Sequence, residues 1–349
     1  DVIESRGLGD VYKRQGNLLA GVIKDIVPRY WTMRGYYVER RFGWDVHGLP
    51  IEMEVQKKLN LEDPQQIDEY GIDKFNEACR SQVQTNTENW EKITRKIGRW
   101  VDFENDYKTM DIEFMESVWW VFKELWSKGL IYQDYKVLPY SWAASTPLSN
   151  FEANMDYRDV EDPSIYFTLD ARDDYKKVIK GDKFLVWTTT PWCIPGNLAI
   201  AIGKEIEYSR ISIKNNFYWI ATDRLFEMSD YEVEVLETSI GKDLIGASYI
   251  PAYSEYEHLF KDGAFRIIHS DDTNTESGSG LVSQAPAYGE SDFYALKNAS
   301  IDVIADPVTL SGKFDSTFKE LDGLNVKDAD KLIMDQLEER GNLFSKTTE

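Results

Sequence analysis

The stretch from Val186 to Ala199, VWTTTPWCIPGNLA, places three consecutive threonines between two tryptophans at the end of an apolar run. Thr188, Thr189 and Thr190 are β-branched, so the simplest prediction is a β-strand that ends in a turn. Their hydroxyls also offer three donors and six acceptor lone pairs, which favours a pocket that holds a polar group. The residues alone leave both interpretations open.

A second stretch, RFGWDVHGLPIE over 41–52, places Asp45 and His47 on a tight loop bracketed by Gly43 and Gly48. The loop follows a predicted strand, and ligands of α/β sheets bind at the carboxyl ends of strands. A carboxylate there could pair with an ammonium group. The alternative is that Asp45 caps the helix predicted for the next segment, IEMEVQKKL.

Hydrophobic periodicity predicts the helices that would position these groups. They are expected near 17–36, 73–97, 111–128 and 326–341. For the third, Asp111 is the expected N-cap and Gly129 the stop. Its expected apolar stripe comprises Phe114, Val118, Phe122, Leu125 and Trp126. The segment YYVERRFGWD is predicted as a strand, and a helix followed by a strand suits an α/β layer.

The pattern changes near Asp162 and Pro163. Short apolar runs follow, separated by turn residues: SIYFTL, KFLVWTTT, LAIAIG, FYWIAT, FRIIHS and GLVSQA. Such spacing predicts a mostly β domain with a few helices.

Composition excludes several classes of protein. The chain is 42% hydrophobic and 29% charged, which is typical of a soluble globular protein, and no apolar run could cross a membrane. Two cysteines and three histidines at scattered positions predict no metal site. The net charge of −21 disfavours a free-standing RNA-binding module. No signal segment opens the chain, so a cytoplasmic location is expected.

Six motifs in order resemble those of the isoleucyl-tRNA synthetases. The motifs are RFGWDVHGLPIE (41–52), VDFENDYKTMD (101–111), YKVLPYSWAASTPLSNFEA (135–153), DPSIYF (162–167), WTTTPWCIPGN (187–197) and GSGLVSQAPAYGESD (278–292). The related valine and leucine enzymes have different residues at the first motif. The resemblance runs from about residue 16 to about residue 345.

This resemblance implies an α/β fold: a partial doubly wound, Rossmann-like nucleotide-binding domain with an inserted, mostly β editing domain. The implied domains are 16–160 for the partial catalytic domain and 161–345 for the editing (CP1-type) domain. Residues 1–15 fit neither and resemble translated sequencing-adapter text, so we expect them not to be native. The family's remaining segments would lie beyond Glu349, so the chain is expected to be an N-terminal fragment that does not aminoacylate.

The resemblance also implies roles for individual residues of the editing domain. Thr188, Thr189 and Thr190 match the positions that orient the acyl ester and a water, and Asp292 matches the acid that holds the amino group of the misacylated residue. Trp192 and Ser283 fall in the same pocket.

In the catalytic domain, Asp45 and His47 match the amino-acid site, with Asp45 receiving the ammonium group. Gly16 and Asn17 match part of the ATP-binding signature. Implied substrates and partners are isoleucine, ATP with Mg²⁺ and tRNA(Ile) in the full-length enzyme, with no cofactor bound tightly here, no membrane contact and a monomeric state.

Three positions depart from the family pattern. The signature His-x-Gly-His falls on Arg14, Gly16 and Asn17, so both imidazoles are absent. Ser283 stands where the editing motif has histidine and loses the reach and basicity of an imidazole. Cys193 replaces a threonine, and we interpret it as a packing residue, not a nucleophile.

A different class of protein is also considered. Eleven tryptophans, twenty tyrosines and many acids would suit a carbohydrate-active hydrolase with paired carboxylates. The aromatic residues, however, fall mostly on apolar faces of the predicted elements. Hydrolysis of misacylated tRNA would distinguish the two functions.

Overall fold

The computed structural model describes residues 15–61, 64–155 and 157–348, without the side chains of 64, 65 and 84–86. The prediction that 1–15 is not native therefore lies, except for Gln15, outside the described residues, as does Arg14. The chain divides into two compact units, Asp1–Asp134 and Tyr135–Glu349. Each unit is described by itself below.

Unit 1 is an α/β arrangement. Its elements are α1 (Gln15–Met33), β1 (Arg41–Trp44), α2 (Leu49–Leu59), α3 (Pro64–Tyr70), α4 (Ile72–Lys96), β2 (Asp102–Lys108) and α5 (Ile112–Ser127). Strands β1 and β2 pair in parallel, and helices α2 to α4 form the crossover that a parallel pair requires. The predicted α/β layer is confirmed.

Helix α5 has the predicted bounds but not the predicted cap. The Asp111 backbone is extended, as at an N-cap, yet its side chain makes no cap hydrogen bond and accepts from Lys108 N at 2.8 Å instead. The apolar stripe is largely exposed: Val118, Phe122 and Trp126 are 51%, 55% and 58% accessible. Periodicity identified this face of the helix but not whether it is buried.

Unit 2 is mostly β, as predicted. It begins with the short strands β3 (Tyr140–Ser141) and β4 (Thr146–Pro147) and helix α6 (Asn150–Ala153). Nine further strands form one sheet: β5 (Pro163–Asp170), β6 (Lys183–Thr188), β7 (Ala199–Ile202), β8 (Glu207–Ile213), β9 (Asn216–Ala221), β10 (Glu234–Ile240), β11 (Arg266–His269), β12 (Val282–Gln284) and β13 (Leu343–Thr348).

Three further α-helices lie in the described part of unit 2: α7 (Gly241–Leu244), α8 (Glu290–Asn298) and α9 (Val326–Glu339). The predicted boundary between 160 and 161 stays a prediction, because the compact unit begins at Tyr135 and its large sheet at Pro163. Within the described residues, no helix is both long enough and apolar enough to cross a membrane.

Strand β6 lies at the centre of the sheet. It pairs with β5 in antiparallel fashion and with both β9 and β12 in parallel, and its residues Phe184, Leu185 and Val186 are fully buried. A buried ion pair anchors its start: Asp182, 1% exposed, accepts two bonds from Arg210 Nε and Nη2 at 2.9 and 2.7 Å. The buried ion pair and the buried residues of β6 thus fix the strand that carries Thr188 at its end.

Candidate functional site

The three threonines lie where a strand ends in a turn, the first of the two structures that the sequence left open; their role in a pocket stays a prediction. Strand β6 ends at Thr188, and Thr190 begins a 3₁₀ turn over Pro191–Gly196. Thr188 Oγ1 lies 3.2 Å from Thr190 Oγ1 and accepts a bond from Thr190 N at 3.1 Å. The strand therefore ends in a turn in which the hydroxyls of Thr188 and Thr190 are held together.

Asp292 lies at the same edge of the sheet as this turn. Its Oδ2 accepts from the backbone N–H of Ala285, just after β12, at 2.8 Å. Strands β6 and β12 run parallel, with Trp187 opposite Val282, so their carboxyl ends meet at one edge. The Cys193 thiol lies close to both groups, because it hydrogen-bonds Thr190 and interacts electrostatically with Asp292.

The Asp292 carboxyl sits in a confined place. Burial raises its pKa above the ordinary value, and the Ala285 N–H opposes that shift. A Cβ at Gly289 would lie 2.7 Å from the Asp292 carboxyl carbon, so a larger residue there would displace this carboxyl. A buried carboxylate with an incomplete set of donors is suited to receiving a cationic group.

Ser283 is adjacent to the threonine turn and belongs to a buried polar chain. Ser283 follows Val282 in β12 as Thr188 follows Trp187 in β6, and Val282 and Trp187 are paired in parallel. Its Oγ accepts from Asn197 Nδ2 at 2.8 Å, and Asn197 Oδ1 accepts from the Tyr249 hydroxyl at 2.6 Å. The serine is therefore tied to the core, in the position where the family pattern has histidine.

Cys193 is not set up as a nucleophile. Burial raises the pKa of its thiol to about 12, with smaller contributions from the charges of Asp292 and Asp330. The reactive thiolate is then almost absent at neutral pH. This agrees with its interpretation as a packing residue.

Sequence reasoning missed Asp330, a carboxylate of α9 that is 6% exposed. Its Oδ1 accepts from Trp192 N at 2.8 Å, in the turn that follows the threonines. Burial raises its pKa to about 6, while Lys327 acts in the opposite direction. Nothing in the local sequence DADKL separates Asp330 from an ordinary surface acid, because its partner lies 138 residues away.

The raised pKa of Asp330 predicts a pH-dependent contribution to stability. The folded state holds the proton up to about pH 6, and the unfolded state releases it near 3.8. The contribution is thus fully present below pH 3.8 and is lost as pH rises through 6. Relative to Asp330→Asn, the wild-type free energy of unfolding should fall across this window in urea titrations; a difference that stays constant with pH would contradict it.

Next to the turn lies a cavity of about 730 Å³ within unit 2. Trp192 lines it and packs against Tyr288 with ring centroids 4.9 Å apart. Lys327 and Phe293 lie on its wall, whereas the threonines, Ser283 and Asp292 do not line it. The structure therefore brings the threonines, Ser283 and Asp292 to one sheet edge, with Trp192 between that edge and the cavity.

In unit 1, Asp45 and Asn17 line one cavity of about 700 Å³. His47 lines a different cavity of about 310 Å³. Helix α2 has Gly48 as its N-cap, at φ 120 and without a side-chain cap bond, so the alternative that Asp45 caps this helix is wrong. Gly16 lies in the first turn of α1.

In the part of the chain that the structure describes, no group of three or more histidine, cysteine or acidic side chains could hold a metal ion.

The model of a protein family described as tRNA synthetases class I (I, L, M and V) matches residues 12–299. The chain belongs to this family. It is 47% identical over 95% of its length to an isoleucine–tRNA ligase of Bdellovibrio bacteriovorus, of which it covers 31%. It is 44% identical over 94% of its length to that of Chlamydia pneumoniae, again covering 31%.

The chain thus spans about a third of the length of these relatives, and the resemblance to isoleucyl-tRNA synthetases is confirmed. Two solved structures are also similar, the editing domains of the cytosolic leucyl-tRNA synthetases of P. knowlesi and P. falciparum. They are 9% and 11% identical, each is matched over 54% of this chain and over 97% and 99% of its own, and the TM-scores are 0.40 and 0.37. None of the matches named above supports a carbohydrate-active hydrolase.

Proposed function

We propose that unit 2 hydrolyses valine from misacylated tRNA(Ile), and that the longer synthetase activates isoleucine with ATP and transfers it to tRNA(Ile). The observation that carries the proposal is the meeting of the threonine turn and Asp292 at one edge of the sheet. Family membership and isoleucine–tRNA ligase relatives support the choice of substrates.

In the proposed reaction, water adds to the carbonyl carbon of the aminoacyl ester. The ester C–O bond then breaks, the terminal ribose hydroxyl leaves with a proton, and free valine is released. The hydroxyls of Thr188 and Thr190, fixed at 3.2 Å, orient the ester and the water, with Thr189 between them. Asp292 binds the ammonium group, whose positive charge offsets the cost of burying the carboxylate.

The need for a second site follows from energetics. Valine lacks one methylene of isoleucine, a difference worth only about 1–3 kcal/mol in a hydrophobic pocket. A synthetic site therefore accepts valine too often. A smaller hydrolytic site that excludes isoleucine removes the error.

For the synthetic reaction we propose that Asp45 receives the isoleucine ammonium group. Asn17, Lys24 and Asp45 line one cavity, so the phosphates of ATP with Mg²⁺ could lie near Asp45. Gly16 opens the helix, but neither imidazole of the family signature stands in this chain, and His47 faces another cavity. A cytoplasmic monomer remains part of the proposal.

A deacylation assay tests the editing function. The 349-residue chain is mixed with radiolabelled Val-tRNA(Ile) or Ile-tRNA(Ile), and acid-precipitable label is followed. We expect rapid loss of valine and retention of isoleucine. If both esters decay only at the rate without protein, the proposed function is wrong.

Replacing Ser283 with histidine is expected to raise the rate of valine release by roughly threefold or more. An imidazole restores reach and basicity beside Thr188, and its ring nitrogen can replace Oγ as the acceptor for Asn197 Nδ2. Initial rates of Val-tRNA(Ile) hydrolysis measure the effect, with Ser283→Ala as the control. A rate that stays flat or falls would mean that the site is arranged without the family's histidine.

A further inference from the structure

In the 3₁₀ turn Pro191–Gly196, the backbone amide of Trp192 donates its hydrogen bond to a residue that is distant in sequence. Pro191 has no N–H, and Cys193 N donates to Thr190 O at 2.9 Å. Thr190, the N-cap, makes no side-chain cap hydrogen bond to a backbone N–H of the turn. The remaining donor, Trp192 N, is satisfied by Asp330 Oδ1 at 2.8 Å. Asp330 thus acts as the cap that the turn does not supply itself.

Helix α9 holds this carboxyl firmly. Asn325 caps the helix through a bond to Lys327 N, and Ala329, Ile333 and Leu337 are fully buried on the face that also carries Asp330. A group on a helix packed in this way has little freedom to move. Its position therefore defines where the Trp192 amide, and the residue before the turn, must lie.

The charged groups around Asp330 are few. Lys327, one turn earlier on α9, acts on Asp330 and is itself paired with Asp162 at 2.7 Å. Asp162 and the Cys193 thiol also interact electrostatically with Asp330. No basic side chain among the described residues forms an ion pair with Asp330 itself. Its carboxylate accepts a hydrogen bond from the backbone amide of Trp192, and this bond fixes where that amide lies.

We propose that Asp330 is a positioning residue of the hydrolytic site, which fixes the Trp192 amide and thereby the hydroxyls of Thr190 and Thr188. The chain of contacts is short: Asp330 to Trp192 N, Trp192 to Thr190 through the backbone, and Thr190 to Thr188 at 3.2 Å. The inference rests on the proposed editing function. A misplacement of about 1 Å in a catalytic group can cost about 100-fold in rate, so the anchor matters.

The kinetic test compares Asp330→Ala with Asp330→Asn in the full chain. Alanine leaves Trp192 N without its acceptor, so we expect kcat for Val-tRNA(Ile) hydrolysis to fall about tenfold or more while KM stays within about twofold. Asparagine keeps an acceptor oxygen and is expected to retain kcat within about threefold. Asp335→Ala, an exposed acid on the same helix, is the matched control and should behave as wild type.

A second readout follows the contact directly. With ¹⁵N-tryptophan labelling, the Trp192 amide signal is assigned by its loss in Trp192→Phe. It should shift as Asp330 titrates, and in Asp330→Ala it should move and exchange faster with solvent. A purely structural role would lower thermal stability in Asp330→Ala but leave kcat of the folded chain unchanged.

The outcomes separate the two proposals. If the wild-type chain does not release valine, the editing function is wrong. If it releases valine and Asp330→Ala leaves kcat unchanged, or Asp330→Asn loses as much as Asp330→Ala, the positioning role alone is overturned. If the Trp192 amide signal does not change in Asp330→Ala, the positioning role is also overturned, whatever the hydrolysis rates are.

Discussion

Asp292→Ala is expected to abolish valine release from Val-tRNA(Ile), with a loss of at least about 100-fold in kcat/KM. The variant removes the carboxylate that would bind the substrate's ammonium group at the edge where the threonine hydroxyls lie. It also leaves Ala285 N without its acceptor, which costs about 1–3 kcal/mol of stability. The fold should survive, because one lost backbone hydrogen bond at the end of β12 is a small part of what holds the nine-stranded sheet together.

The control for this loss is Asp292→Asn. Its amide oxygen can still accept from Ala285 N, so the variant keeps the local backbone and removes only the charge. Both variants should therefore be inactive, while asparagine should unfold close to the wild-type midpoint. Hydrolysis that persists in the asparagine variant would show that the charge is not required, and unchanged hydrolysis in both would remove Asp292 from the site.

The raised pKa of Asp292 predicts how valine release depends on pH. Burial raises this pKa, so the carboxyl becomes protonated at a higher pH than an exposed aspartate does. The protonated form cannot pair with an ammonium group. Valine release by the wild-type chain should therefore decline on the acid side of neutrality before ordinary carboxyls titrate.

The sequence predicted much of the fold because its strongest patterns are local. The helices α4, α5 and α9 and six strands of the large sheet follow from apolar periodicity and glycine stops. Strands β8, β10 and β13 were missed because EYSRISI, EVLETSI and LFSKTT mix charged residues into the alternation. Their register depends on neighbours that are distant in sequence.

For the site, the resemblance proposed residues from segments that are distant in sequence, and whether they meet depends on contacts that local sequence does not encode. Thr188 and Asp292 lie more than a hundred residues apart, and only the parallel pairing of β6 with β12 puts their strand ends at one edge. Asp330 and Asp182 carried no local signal, because each is recognised by a backbone or side-chain partner in another element. Buried carboxylates of this kind are identified by their partners and not by flanking residues.

Asp182→Ala is expected to have the largest effect on stability, about 3–5 kcal/mol. The carboxylate, 1% exposed, accepts from Arg210 twice, from Trp219 Nε1 at 3.1 Å and from Ile179 N at 3.0 Å. Alanine would leave a guanidinium with a side chain only 12% exposed, and an indole N–H, without acceptors inside the sheet. An uncompensated buried charge is far more costly than a lost surface contact.

Urea unfolding followed by circular dichroism measures the effect, taken from the transition of unit 2 if the two units unfold separately. The matched control is Asp170→Ala, which breaks the Lys183–Asp170 pair at 2.6 Å on the neighbouring strands. That aspartate is 40% exposed, so its loss should cost no more than about 1 kcal/mol. Equal costs for the two variants would contradict the view that the Asp182 pair is a buried anchor, and would leave the orientation of β6, and with it the threonine turn, without this support.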